Sequence, residues 1–291
     1  MDDRKENTLD PITGGPVLTK TSPAQSIFAR TMRFTFMSLI AVTVMPLVSV
    51  YWSISRLGAF SDVFRKVFLN APLRIENVKP PQGEEEKVWG STIGKLYARA
   101  IEYQIREGYC SSTTTRCMLR SYNISLPSNR HLPIPAAIAK PDTPEGVQSK
   151  ILAQCVSSNG TPRLEVTICR GSNVPGATEE EHYEEFLKAL RLINHPSGLY
   201  RVGANFLRGA LFGPAGYWPG QLMIAFFGGH FSPLIGLLES SDPRNPTVAL
   251  FDVNDAWGLV MVPARKMFAA VRTADLMTSQ TRGLVITKLL D

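Results

Sequence analysis

The chain contains no run of five or more lysines and arginines. Its basic residues are scattered, so the net charge of +6 does not build the clustered surface that nucleic acid requires. No nucleic-acid partner is expected; the surplus suits attraction to anionic lipid or to an acidic peptide. The four cysteines (Cys110, Cys117, Cys155, Cys169) fall in no CxxC or Cys/His spacing, so no zinc site and no resident metal is expected. If one cysteine is kept as a thiolate, three remain and a full disulfide framework is not expected, although a single pair is left open. There are no internal repeats and no low-complexity tract.

At 291 residues the chain can hold one large domain or two small ones. Hydrophobic content of 44% against 19% charged residues describes a globular protein with a membrane contribution rather than a disordered one. Residues 1–28 are polar, with Pro11, Gly14, Gly15, Pro16 and Pro23 and no hydrophobic periodicity, and read as a disordered tail. Their acidic start (Asp2, Asp3, Glu6) fits neither a secretory leader nor a mitochondrial presequence.

From Phe34 to Ser55 there is no charged residue. This run is apolar enough, and about long enough, to cross a hydrocarbon core about 30 Å thick. Arg30 and Arg33 flank one end, and Tyr51, Trp52 and Arg56 the other, as interfacial anchors do. Residues 29–56 are therefore expected to form a single transmembrane helix in contact with the lipid bilayer through 34–55, with a buried core helix as the bland alternative. Basic residues nearly balance on the two sides, so the side on which the remainder lies does not follow. Residues 57–90 read as a linker, ending in Pro80, Pro81 and the acidic run Glu84 to Glu86.

Residues 91–291 are long enough for one core. The spacing of Ile93, Leu96, Tyr97, Ala100 and Ile101 predicts an amphipathic helix over 91–106. Gly108 breaks it, and a second helix is expected to start at Cys110. Residues 177–194 read as a helix with an acidic start and a basic end, stopped by Pro196. Residues 222–227, 248–253, 259–262 and 284–288 read as strands, and 263–275 as a helix. The expected class is α+β, with helices first and then a largely antiparallel sheet.

Four residues of the right chemical types occur in this frame: Gln104, Cys110, His230 and Asp252. A thiol attacks an amide only as thiolate. A helix N-terminus and a neighbouring imidazole lower its pKa. His230 is the candidate partner, able to protonate a leaving amine, and Asp252 would hold the imidazole in one orientation. The Gln104 amide, with the Cys110 backbone N–H, would receive the developing oxyanion. Gly228 and Gly229 would let the backbone pass close to substrate. Taken singly each has a bland reading: an inert buried thiol, a core histidine, a turn-forming aspartate, a solvated glutamine. The joint pattern favours catalysis. The remaining histidines lie in a Pro-rich loop (His131), in an acidic helix (His182) and before a proline (His195).

The segment Gly229-His230-Phe231-Ser232-Pro233, the strand ending in Asp252-Val253 and the Gln104-x5-Cys110 spacing resemble the catalytic domain of phytochelatin synthase, a papain-like glutathione γ-glutamylcysteinyltransferase. The resemblance is firm over about 200–275, thinner over 95–120 and absent over the first 85 residues. It implies a papain-like cysteine peptidase fold, with Cys110 as nucleophile, His230 as base, Asp252 as the third member and Gln104 at the oxyanion. Arg208, in Asn205-Phe206-Leu207-Arg208, would pair with a substrate carboxylate, with Tyr109, Gly229 and Ser232 completing the substrate-binding set. The implied reaction removes glycine from glutathione through a γ-glutamylcysteinyl thioester, then passes the acyl group to glutathione, a growing phytochelatin or water. No cofactor is required, and heavy-metal ions such as cadmium or zinc enter as metal-thiolate co-substrate.

The chain departs from the family in several places. Asn254-Asp255 stands where the family usually has Ala-Arg, and Asp255 reverses the charge there. Ser111-Ser112-Thr113 replaces a small apolar run, and 213–220 is an unusual insertion. The chain stops at Asp291 without a Cys-rich extension, from which hydrolysis is expected to be favoured over polymerisation. Two competing readings stay open: a membrane-anchored cysteine peptidase or amidase acting on another peptide, and a non-catalytic membrane protein that keeps the fold.

Overall fold

The computed structural model describes residues 58–69, 78–104, 108–124, 160–170, 176–214, 217–254, 258–275 and 280–290, with isolated positions at 9, 35, 38, 39, 42, 43, 46, 47, 73 and 153. The expected tail apart from Leu9, most of the 34–55 run and Asp255 lie outside the described residues. Among the described residues no helix is long and apolar enough to cross a membrane.

Among the described residues six strands form one antiparallel sheet: β1 (Leu164–Arg170), β2 (Tyr200–Leu207), β3 (Gly229–Leu238), β4 (Thr247–Asp252), β5 (Gly258–Pro263) and β6 (Gly283–Leu289). Their spatial order is β1-β6-β2-β3-β4-β5, and every pairing is antiparallel. The class is thus mixed α plus antiparallel β. The central strands β2, β3 and β4 are buried on both faces. That is why their sequences read as continuous apolar runs rather than as alternation.

Helix α1 covers 58–64 and widens into a π-helical turn at Arg65–Leu69. Then come α2 (Gln82–Gly90), α3 (Thr92–Ala98) and α4 (Cys110–Ser121). The stretch expected to be a linker, 57–90, instead contributes Val63, Val67, Val78, Val88 and Trp89 to the core. The helix expected over 91–106 stops at Ala98. The Tyr97 carbonyl accepts from the N–H groups of both Ala100 and Ile101, and the chain leaves to pair Gln104 N–H with Val253 O at 2.8 Å. Tertiary pairing with the end of β4 here overrides local helical periodicity.

Helix α5 (Glu179–Arg191) opens on a capping box between Thr178 and Glu181. The excursion between β2 and β3 carries two helices, α6 (Arg208–Phe212) and α7 (Pro219–Phe227). The expected strand over 222–227 is therefore helical. A short, continuous apolar run does not distinguish strand from helix by period, and Pro219 in the first turn with Leu222, Met223 and Ala225 favours helix. The remaining helix, α8 (Ala264–Val271), is shorter than the 263–275 expected.

α6 and α7 meet where Gly209 faces Ala225: a Cβ on Gly209 would lie 2.3 Å from the Ala225 carbonyl oxygen. Backbone cannot yield as a side-chain tip can, so Gly209→Ala is expected to destabilise the protein by about 1–3 kcal/mol. Chemical denaturation of the variant beside the parent chain measures this, and an unchanged midpoint would mean the two helices are not packed this way.

Candidate active site

Cys110 is the first residue of α4, behind Tyr109 at the N-cap. It is half-buried and sits where the unpaired N–H groups of a helix start favour negative charge. His230 is the second residue of β3, and Asp252 the last of β4, the neighbouring strand. His230 Nε2 lies 2.9 Å from Asp252 Oδ1, and the Cys110 thiol is hydrogen-bonded to the same imidazole. With Nε2 taken by the carboxylate, Nδ1 is the nitrogen left for sulfur. The structure therefore joins three of the residues expected from sequence in one line of hydrogen bonds.

His230 and Asp252 are only 4% and 0% exposed, so their charges have to be compensated internally. Burial pushes the Asp252 carboxyl up, but the charge and hydrogen bond of His230, the Arg208 guanidinium and the Asn254 N–H outweigh it and hold the group at about 2. Burial likewise pushes His230 down, while the charge and hydrogen bond of Asp252, together with Cys110, raise it to about 9. For Cys110, burial pushes the thiol up. The hydrogen bond and charge of His230, with the backbone N–H groups of Phe231 and Ser111, more than offset this and leave it below its ordinary value. All three shifts favour a thiolate–imidazolium pair backed by a carboxylate.

Gln104 is anchored beside this line. Its backbone N–H bonds Val253, and its side-chain Nε2 donates to Asn254 Oδ1. Asn254 in turn donates its backbone N–H to Asp252 Oδ1 at 2.9 Å, so one residue links the carboxylate to the candidate oxyanion donor. That role was missed in the sequence, although Asp-x-Asn is the pattern of an Asp side chain accepting from the N–H two residues on. Phe206 was missed as well: it lies opposite His230 in the β2–β3 register and meets the imidazole edge to face at 5.5 Å.

The expected substrate-binding residues are spread around this centre. Arg208 is half-buried, its Nη2 3.7 Å from Asp252 Oδ2, so its nearest described carboxylate is the protein's own. Gly229 is exposed, yet the space a side chain would take there is bounded by Asn205 Oδ1 at 3.3 Å and Arg282 Nε at 3.4 Å. Its missing Cβ thus accommodates two protein side chains. Tyr109 is half-buried at the helix start, its carbonyl accepting from the Ser112 hydroxyl and the Thr113 N–H. Ser232 is wholly buried, with no hydrogen-bond partner for its hydroxyl among the described residues. Among the described residues no group of three or more His, Cys, Asp or Glu could hold a metal ion.

The other described cysteines have a different character. Burial pushes Cys117 up to about 12 and Cys169 up to about 11. Iodoacetamide at neutral pH is therefore expected to label Cys110 ahead of both, as peptide mass mapping would read. The Cys110 ion pair should persist from its depressed thiol pKa up to about pH 9, where His230 loses its proton. Below that window the thiol is protonated, and above it the thiolate has no cation. Replacing His230 by Ala should slow labelling at neutral pH by roughly tenfold, because an unassisted cysteine is only a few per cent thiolate there. Equal labelling of Cys117 would contradict this electrostatic assignment.

No family model matches the chain, and no curated protein matches it.

Proposed function

We propose that this chain is a membrane-tethered thiol acyltransferase or hydrolase with a papain-like catalytic arrangement, acting on glutathione as phytochelatin synthases do. The observation that carries the chemistry is the unbroken line Cys110–His230–Asp252 at the N-terminus of α4. The choice of glutathione rests on the resemblance of the segments around Gln104, His230 and Asp252.

In this reading the Cys110 thiolate attacks the carbonyl carbon of the Cys–Gly peptide bond and forms a C–S bond. The oxyanion receives the Cys110 backbone N–H and the second amide hydrogen of Gln104, the first being held by Asn254. His230 gives its proton to the glycine nitrogen, the C–N bond breaks, and a γ-glutamylcysteinyl thioester remains. The now neutral imidazole takes a proton from the acceptor, either water or the amine of a second glutathione or phytochelatin. The acceptor displaces sulfur, and the thiolate–imidazolium pair is restored. A heavy-metal ion enters as part of the acceptor, bound to its thiolate. Asp252 keeps the imidazole oriented and stabilises its charged form.

The reading as a cysteine peptidase or amidase on another peptide is favoured by one observation: Arg208, expected to face a substrate carboxylate, is set against Asp252. Product analysis separates the two. With glutathione, with and without cadmium, mass spectrometry is expected to find glycine together with γ-glutamylcysteine or phytochelatin, and none of these with Cys110→Ala. Retained turnover in that variant would mean the nucleophile is misassigned, while labelling of Cys110 without glycine release would favour the peptidase reading.

Two further variants probe the supports. Asp252→Asn is expected to lower kcat by roughly 10²–10⁴, since a neutral partner no longer sets the tautomer. Asn254→Ala should lower kcat by roughly tenfold, less than deletion of an oxyanion donor itself. The rate at which iodoacetamide labels Cys110 should stay unchanged in Asn254→Ala, because alkylation forms no oxyanion. A parallel fall in labelling would show that Asn254 acts through the thiolate instead.

A further inference from the structure

From Gly209 to Leu238 there is no Asp, Glu, Lys or Arg, in a chain where such residues are 19% of the total. Over β3 that is ordinary, because the strand is buried. Over α6 and α7 it is not, because among the described residues of this excursion Tyr217 and Trp218 are exposed and several others only half-buried. Tyr217 is 80% exposed and Trp218 66%, side by side at the start of α7. Single exposed aromatics need no explanation, but an adjacent pair leading an uncharged helix marks a contact surface.

The neighbouring elements indicate what covers it. Phe226, near the end of α7, stacks on Phe60 at 5.5 Å and lies 5.6 Å from Phe68 and 6.3 Å from Phe64. The excursion is thus fixed to α1 and its π-helical turn, which also expose Phe64 and Leu69. Described residues of α1 begin three positions after Ser55, the end of the uncharged 34–55 run. Three residue steps span at most about 11 Å, so α1, and α7 with it, is tied close to the point where that run ends. Adjacent tyrosine and tryptophan on an uncharged element is the composition that settles at a lipid headgroup boundary.

We propose that the α6–α7 excursion, led by Tyr217 and Trp218, rests on the surface of the lipid bilayer that the 34–55 run enters, as a second and interfacial membrane contact. The inference rests on reading that run as a membrane anchor. Arg208 opens the excursion and His230 follows it by two residues, so a bilayer contact here would lie close in sequence to two residues of the proposed site.

The chain has four tryptophans, Trp52, Trp89, Trp218 and Trp257, which allows a difference measurement on the full-length protein. Trp52→Phe and Trp52→Phe/Trp218→Phe chains would be reconstituted in phosphatidylcholine vesicles with and without brominated acyl chains. Flotation reports anchoring, and tryptophan emission reports lipid contact. The expected result is that both chains float, and that brominated lipid quenches a component of emission present in the first and missing from the second. Flotation with no Trp218-dependent quenching overturns the interfacial contact and leaves the anchor standing. Failure to float overturns both. A Trp218 emission shifted to the blue but insensitive to bromine also overturns the proposal, since a protein surface, such as a second copy of this chain, would then be covering the residue.

Discussion

A carboxylate with no exposed surface has to be compensated by its neighbours, and much of the site follows from how Asp252 meets that demand. Moving such a group out of water costs several kcal/mol even after relaxation. Here one oxygen accepts from His230 and from the Asn254 N–H, while the other faces Arg208. The imidazole is held in its charged form by this arrangement, and the charged imidazole in turn favours the thiolate. The coupling is mutual along the line: Asp252 and Cys110 both raise His230, and His230 lowers both of them. In that sense the charge state of Cys110 depends on the end of a strand remote from it in sequence.

The antiparallel sheet makes that transmission rigid. β2, β3 and β4 are neighbours, so Arg208, His230 and Asp252 are presented at matching strand ends rather than on independent loops. The loop before α4 is tied to the same place, because Gln104 bonds Val253 through its backbone and Asn254 through its side chain. The Cys110 thiol at a helix start and the imidazole at a strand start are therefore held against each other by paired strands and by the loop tied to them. Such support is what a preorganised acyl-transfer site needs, because misplacement of a reacting group by about 1 Å can cost about 10²-fold in rate.

The excursion between β2 and β3 lies between Arg208 and His230 of the candidate site. Its middle exposes Tyr217 and Trp218, while Phe226 near its end packs on α1. A lipid-facing role would account for the missing charges at no expense to the core, since the exposed residues of the excursion contribute little to it. It would also explain why α1 and its π-helical turn are built into the core instead of forming a passive spacer.

Residue types, spacing and chain order were sufficient to anticipate that Cys110, His230 and Asp252 lie together and that α4 starts at Cys110, because helix starts and strand ends leave local signatures. The capped helix α5 was legible for the same reason. The apolar run in α7 was not, since six consecutive hydrophobic residues carry no period, and it became a helix through Gly209, Ala225 and the cluster around Phe226. Nor could the sequence show that Arg208 faces Asp252, that the space beside Gly229 is taken by Asn205 and Arg282, or that Asn254 bridges to Gln104. Those contacts join residues far apart in sequence. Local composition determined which chemistry the chain could carry; only the pairing of distant strands decided which charges meet, because burial and proximity belong to the folded arrangement and to no single segment.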